Sequence, residues 1–178
     1  MNLLDVEIST NRLLLKPISI KYKADIFAEF TEEITTYMHP RSPKDISEIE
    51  AFIKESSADL EQGNNLGLVI LQKASQEFLG CASIHNINRK EPELGIWLKK
   101  AAHGNKYGLG AITAIKRWAD TNLEYEYLRY PVERANIASR KIPEALCGRI
   151  FRQYDKTNMS KKNLHMVEYI IFMKNNEC

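Results

Sequence analysis

A change of rhythm at the centre of the chain constrains its fold most. Residues Glu93 to Leu98 alternate, with Glu93, Gly95 and Trp97 on one face and Leu94, Ile96 and Leu98 on the other, the two-residue period of a strand. A few residues later comes a glycine-rich loop, His103-Gly104-Asn105-Lys106-Tyr107-Gly108-Leu109-Gly110. Ala111, Ile112, Ile115, Trp118 and Ala119 then recur at helical spacing. Strand, glycine loop and helix form a unit of α/β construction. Glycines let backbone amides approach an anion, and a helix N-terminus adds free N–H donors and about half a positive charge. Such a unit can seat a phosphate or pyrophosphate, or it can be a turn that merely caps a helix. A Walker loop is excluded, because no Gly-Lys-Ser/Thr closes the segment. A dinucleotide fingerprint is disfavoured, since Thr113 stands where the third glycine belongs.

The flanking segments read as one compact unit spanning residues 1–178. Leu13, Leu14 and Leu15, stopped by Pro17, predict a short buried strand. Ile20, Ile26, Phe27 and Phe30 predict a helical face between Ser19 and Phe30. Ser42 reads as an N-cap with Pro43 at the first helical position, opening a helix whose buried stripe is Ile46, Ile49, Phe52, Ile53 and Leu60. Strands follow at Leu66 to Leu71 and Phe78 to Ile87, with Gly80 marking a bulge. Tyr127 to Glu133 is another strand, Ser139 to Leu146 a short helix, and Arg149 to Tyr154 and Leu164 to Met173 two last strands. The sum is a mostly antiparallel meander with helices.

Composition narrows the function. At 178 residues with 44% hydrophobic and 27% charged residues, the chain can bury a core of its own. A net charge of +2 is too mild for a nucleic-acid partner. No apolar run approaches the roughly 20 residues that span a bilayer, and Met1 to Glu7 has no signal-peptide pattern. Cys81, Cys147 and Cys178 lack paired spacing and read as reduced thiols of a cytoplasmic protein. His39, His85, His103 and His165 show no ligand spacing, so no metal is expected.

The run Glu93 to Leu98, the loop and its helix, the later Asn136-Ile137-Ala138-Ser139 and the opening Thr10-Asn11-Arg12-Leu13-Leu14-Leu15-Lys16-Pro17 resemble the GNAT acetyltransferase superfamily. The likeness is greatest to its Rim-type branch of ribosomal-protein N-terminal acetyltransferases. It implies an α/β (α+β) fold: a mixed, mostly antiparallel sheet of about six or seven strands flanked by helices, with one parallel pair splayed apart. It also implies acetyl-CoA as cosubstrate, an amine acceptor that is a small molecule or a protein N-terminus, and room for a homodimer. Carried over by resemblance, amides of His103 to Gly110 would hold the CoA pyrophosphate. The chain departs from the family in two places: His103 replaces the usual Arg or Gln, and Lys106 stands at a customary glycine. A left-handed backbone there would cost lysine roughly 1–2 kcal/mol, which pairing of its ammonium with a phosphate would offset.

The splay would fall between Glu93–Leu98 and Tyr127–Glu133, with pantetheine contacts near Trp97 and Leu98. Pro131 has no N–H for a ladder and suits a strand unpaired on one side, although a strand-end proline would look the same. Acetyl transfer to an amine needs a proton acceptor and support for the departing thiolate. Glu93 on the slot strand is the first acceptor candidate and Glu168 the reserve; either could instead be a solvent-facing strand residue. Ser139 matches the serine of the branch's Asn-x-x-Ser motif and would serve the thiolate, or be the N-cap of a helix whose first turn holds Pro143. Asn136 would touch pantetheine or shape the turn. A CoA-binding regulatory module without turnover is the alternative reading.

Overall fold

The computed structural model describes residues 2–173. Its sheet has eight strands, β1 Ile8–Ser9, β2 Leu13–Pro17, β3 Leu66–Gln72, β4 Phe78–His85, β5 Glu93–Leu98, β6 Tyr127–Glu133, β7 Arg149–Thr157 and β8 Asn163–Phe172, in spatial order β1-β2-β3-β4-β5-β6-β8-β7. The count includes the two-residue β1. Every neighbouring pair is antiparallel except β5 with β6. Four α-helices flank it: α1 Lys23–Glu29, α2 Ile46–Gln62, α3 Tyr107–Asn122 and α4 Ile137–Ala145.

The glycine-to-helix segment forms as its periodicity predicts. Ala111, Ile112, Ile115 and Ala119 of α3 are fully buried, each isoleucine contributing about 1.5–3 kcal/mol of apolar burial. The predicted bulge is present: register passes from Ile70 opposite Gly80 to Leu71 opposite Phe78, which leaves Leu79 as the extra residue. Gly80 has φ +153°, and a Cβ there would stand 2.2 Å from the Trp97 carbonyl oxygen. Only glycine lets β4 and β5 approach at that point.

Several local expectations are corrected. The N-cap of α2 is Asp45, whose side chain accepts from Ser47 N, and Ser42 lies outside the helix. α4 opens at Ile137 with Asn136 as its cap, which puts Ser139 in the first turn and Pro143 inside the helix. Ile20 and Phe52, expected on buried faces, are 59% and 47% exposed. Ile20 sits in a separate 3-10 turn ahead of α1, and Phe52 lines an open cavity. Cys81 is a buried free thiol, with burial pushing its pKa up. Cys147 is disulfide-bonded, not reduced, and Cys178 lies outside the described residues. Among the described residues no helix is long and apolar enough to cross a membrane, and no group of three or more His, Cys, Asp or Glu is placed to hold a metal ion.

Candidate active site

β5 and β6 meet at a single register pair, Glu93 with Arg129. Arg129 N donates to the Pro92 carbonyl at 2.8 Å, so alternate residues from that point face the neighbouring strand. Past the contact the ladder stops and the strands diverge. By this alternation Ile96 and Leu98 on β5, and Pro131 and Glu133 on β6, turn their backbone into the gap. Pro131 therefore presents its missing N–H to a side with no strand partner, while it pairs in register with Glu168 of β8.

The sheet divides the site into two faces. On one, Leu94, Ile96 and Leu98 point toward α3 and α4. Gly108 lets the helix sit close, since a Cβ there would come within 3.1 Å of Ile142 and 3.7 Å of both Ile96 and Leu98. At the end of the gap, Gly104 has φ +80° with open space around it, and Lys106 has φ +60° at the N-cap of α3. No side chain caps α3, so the N–H groups of its first turn remain available as donors. His103 Nε2 lies 3.0 Å from the Leu98 carbonyl. The Asn105 side-chain amide donates to the carbonyls of Ala102 and His103, and its backbone carbonyl accepts from Arg12 Nη1 at 3.0 Å. Arg12 also stacks on the Tyr107 ring, 4.5 Å from its centroid, while Gln72 donates to the Tyr107 hydroxyl. Tyr107 thus braces the loop. Leu109 packs against the core, and Gly110 sits over Leu13.

Asn136 accepts from Ser139 N at 3.2 Å. Ser139 Oγ lies 2.7 Å from the hydroxyl of Tyr130, a buried residue of β6. Burial pushes the Tyr130 phenol up to about 12 despite that hydrogen bond, so it stays protonated and can donate to Ser139. Sequence reasoning missed Tyr130. Its signal is the alternation Leu128-Tyr130-Val132, which puts it on the helix-bearing face.

The other face carries the polar cleft. A cavity of about 810 Å³ opens here between Phe30, Trp97, Glu93, Arg129 and Tyr154 and extends to Ser139 on the α4 side. Trp97 points here, packed on Phe30 and Phe78 at centroid distances of 4.8 and 5.9 Å, away from the glycine loop. Asn158 Nδ2 donates to the Met38 carbonyl and Met159 N to the His39 carbonyl, which pins the β7–β8 turn to the segment before α2 along the cleft rim. Glu93 Oε2 is 3.3 Å from Arg129 Nη2. The reserve candidate Glu168 is not solvent-facing. It is 1% exposed, bonded to Arg129 Nη2 at 2.6 Å and Arg152 Nε at 3.0 Å. Burial alone would raise its pKa, but the hydrogen bonds and charges of the two arginines outweigh it and hold the carboxyl below the ordinary value. It is a structural anion and a poor proton acceptor.

A splayed parallel pair ending in a glycine loop at a helix N-terminus defines a class of protein, the acetyltransferases that work on a coenzyme A thioester. Residues 12–147 match the family described as Acetyltransferase (GNAT) domain, and the chain belongs to that family. No curated protein matches it by sequence. Among solved structures, a GCN5-related N-acetyltransferase from Brucella melitensis is similar at TM-score 0.79 and 17% identity, over 94% of this chain and 78% of that one. Spermidine N-acetyltransferase from Vibrio cholerae, in complex with CoA and spermine, is similar at 0.80 and 13%, over 92% and 97%. RimL, a ribosomal L7/L12 alpha-N-protein acetyltransferase in its apo form, is similar at 0.82 and 12%, over 94% of each. Likeness at such identities speaks to the fold.

Proposed function

We propose that this protein transfers an acetyl group from acetyl-CoA to a primary amine, a protein N-terminus or a small molecule, by direct attack in a ternary complex. The single ladder contact between β5 and β6 carries the reading, because it leaves backbone donors and acceptors without a strand partner beside an uncapped helix N-terminus. A diphosphate suits the first turn of α3 and the left-handed residues Gly104 and Lys106. An extended amide-bearing arm suits the gap. These features fit coenzyme A. Acetyl-CoA, when bound, supplies the acetyl group as a thioester.

The chain's residues then divide the work. Amides of residues 104 to 110 grip the diphosphate, and the Lys106 ammonium adds charge. The Leu98 region offers N–H to the carbonyl. Glu93 takes the proton of the incoming amine through water, and Ser139, oriented by Tyr130, holds a proton at Oγ for the departing sulfur. The amine enters from the Phe30 and Trp97 side. Similar folds act on spermidine and on a ribosomal protein N-terminus, and those two acceptor classes come first in a screen; activity on the second would place the chain in the Rim-type branch.

Titration calorimetry with acetyl-CoA tests the first step, and absence of heat at tens of micromolar ligand would sink the reading. Thiol release across an amine panel tests the second. Binding without release would leave a CoA-responsive regulatory module. Glu93→Gln should lower kcat roughly a hundredfold or more while the binding heat stays as in the wild type; an unchanged kcat would remove Glu93 from the proton path.

A further inference from the structure

The cleft holds a second titratable side chain beside Glu93. His85 ends β4 directly opposite Glu93 in the β4–β5 register, and both line the same cavity together with Asp59, Ser83 and Arg129. The imidazole Nε2 lies 2.8 Å from Ser83 Oγ. Opposite Ser83 stands Gly95, where a Cβ would come 2.9 Å from Ser83 Oγ and 3.8 Å from His85 Nε2. The glycine leaves the room that the pair occupies. His85 is exposed to solvent along the cleft. When Nε2–H donates to Ser83, Nδ1 keeps a free lone pair.

The charged groups around this ring are Glu93 from β5 and Asp59 from α2. Asp59 is held by Asn65 at 2.6 Å and Glu93 by Arg129 at 3.3 Å. Partial desolvation by the cleft walls lowers the imidazole pKa even though the residue reaches solvent, the two carboxylates raise it, and the net lies below the ordinary 6.5. The ring is therefore neutral at pH 7 and ready to accept. Glu93 shares Arg129 with the buried Glu168, which fixes its carboxylate beside the cleft.

We propose that His85 is the terminal acceptor of the proton that the amine gives up, held by Ser83 and supplied from Glu93 through water. The inference rests on the acetyltransferase reading. As the new N–C bond forms and the C–S bond breaks, the amine proton passes to Glu93, then to His85 Nδ1, and leaves to solvent. The sulfur takes a different proton, from Ser139, which regains one from water in the cavity that it lines, and nothing is oxidised or reduced.

Wild-type turnover is measured first; an inactive wild type would overturn the acetyltransferase reading itself. In an active protein, His85→Ala should lower kcat at pH 7 roughly a hundredfold and leave the heat of acetyl-CoA binding unchanged. Added imidazole should restore the rate in proportion to its neutral fraction. His85→Gln keeps a polar group beside Ser83 but takes no proton, so it should be equally slow and gain nothing from imidazole. The wild-type rate should fall on acidification with an inflection below 6.5, and both variants should lose that inflection. Normal kcat in His85→Ala, or a slow variant that imidazole does not rescue and that keeps the acidic limb, overturns the proposal while the acetyltransferase reading stands.

Discussion

Lys106 holds φ +60° in the loop that enters α3, a conformation that costs a side chain with a Cβ roughly 1–2 kcal/mol. The fold keeps this strain where an anion is expected, and the lysine's charge is the evident return. Lys106→Gly should relieve the strain, but glycine also loosens the unfolded chain by about 0.5–1 kcal/mol, so stability should rise by no more than about 1 kcal/mol. Its acetyl-CoA affinity should fall severalfold at low ionic strength, with the deficit shrinking as salt screens the lost charge. Calorimetry at two salt concentrations and a thermal melt check both halves; affinity unchanged at low salt would deny the lysine a phosphate partner. Caps show how far a single residue can be read. Asp45 and Asn136 each close a helix start with a short side-chain oxygen, yet Ser42 and Ser139 offer the same chemistry in the sequence. Choosing among neighbouring caps depends on where the helix axis must lie, which packing sets.

At the scale of elements, two strand irregularities prepare the cleft. The bulge at Leu79 lets Gly80 pass close to Trp97, and the lone ladder pair at Glu93 and Arg129 opens the gap. Gly80→Ala would force a Cβ against the Trp97 carbonyl oxygen, and neither strand can retreat without breaking register. A loss of about 2 kcal/mol or more is expected in urea unfolding; a change within about 0.5 kcal/mol would show that the strands can give. The proline in β6 signalled the gap correctly, because a missing donor is a property of the residue itself. Pro143 misled, since its place inside α4 is tolerated in a helix of nine residues whose cap lies seven positions earlier, at Asn136.

For the molecule as a whole, Tyr130 and Ser139 meet on the α4 side of the sheet, and the buried Glu168 joins three strands. Arg129 of β6 and Arg152 of β7 both reach this one buried carboxylate of β8. Glu168→Ala should cost about 2–3 kcal/mol, below the roughly 3–5 kcal/mol of a fully buried pair because Arg152 is half exposed; urea midpoints would report it. The same network sets an acid limit. The folded-state pKa of Glu168 is depressed, so its stabilisation is complete above the ordinary 4.5 and is lost as pH falls through the lower folded value. Unfolding followed from pH 6 to pH 3 should show this loss in the wild type and a shallower slope in the variant. An identical slope would place the acid sensitivity elsewhere.

By itself the sequence determined the strand–loop–helix unit, the alternation of β5 and the bulge at Gly80, because periodicity and side-chain volume are local properties; the strain at Lys106 was only conditional until its backbone showed φ +60°. It also yielded the family, through the order of those units along the chain. Tertiary structure alone decided that Glu168 is buried between arginines, that Tyr130 holds Ser139 and that His85 faces Glu93. These depend on register and strand order, with β8 inserted between β6 and β7. Glu168 meets arginines 39 and 16 residues away. His85 with Glu93 and Tyr130 with Ser139 are near in sequence and meet only through the hairpin register and the turn into α4, which no alternation pattern encodes.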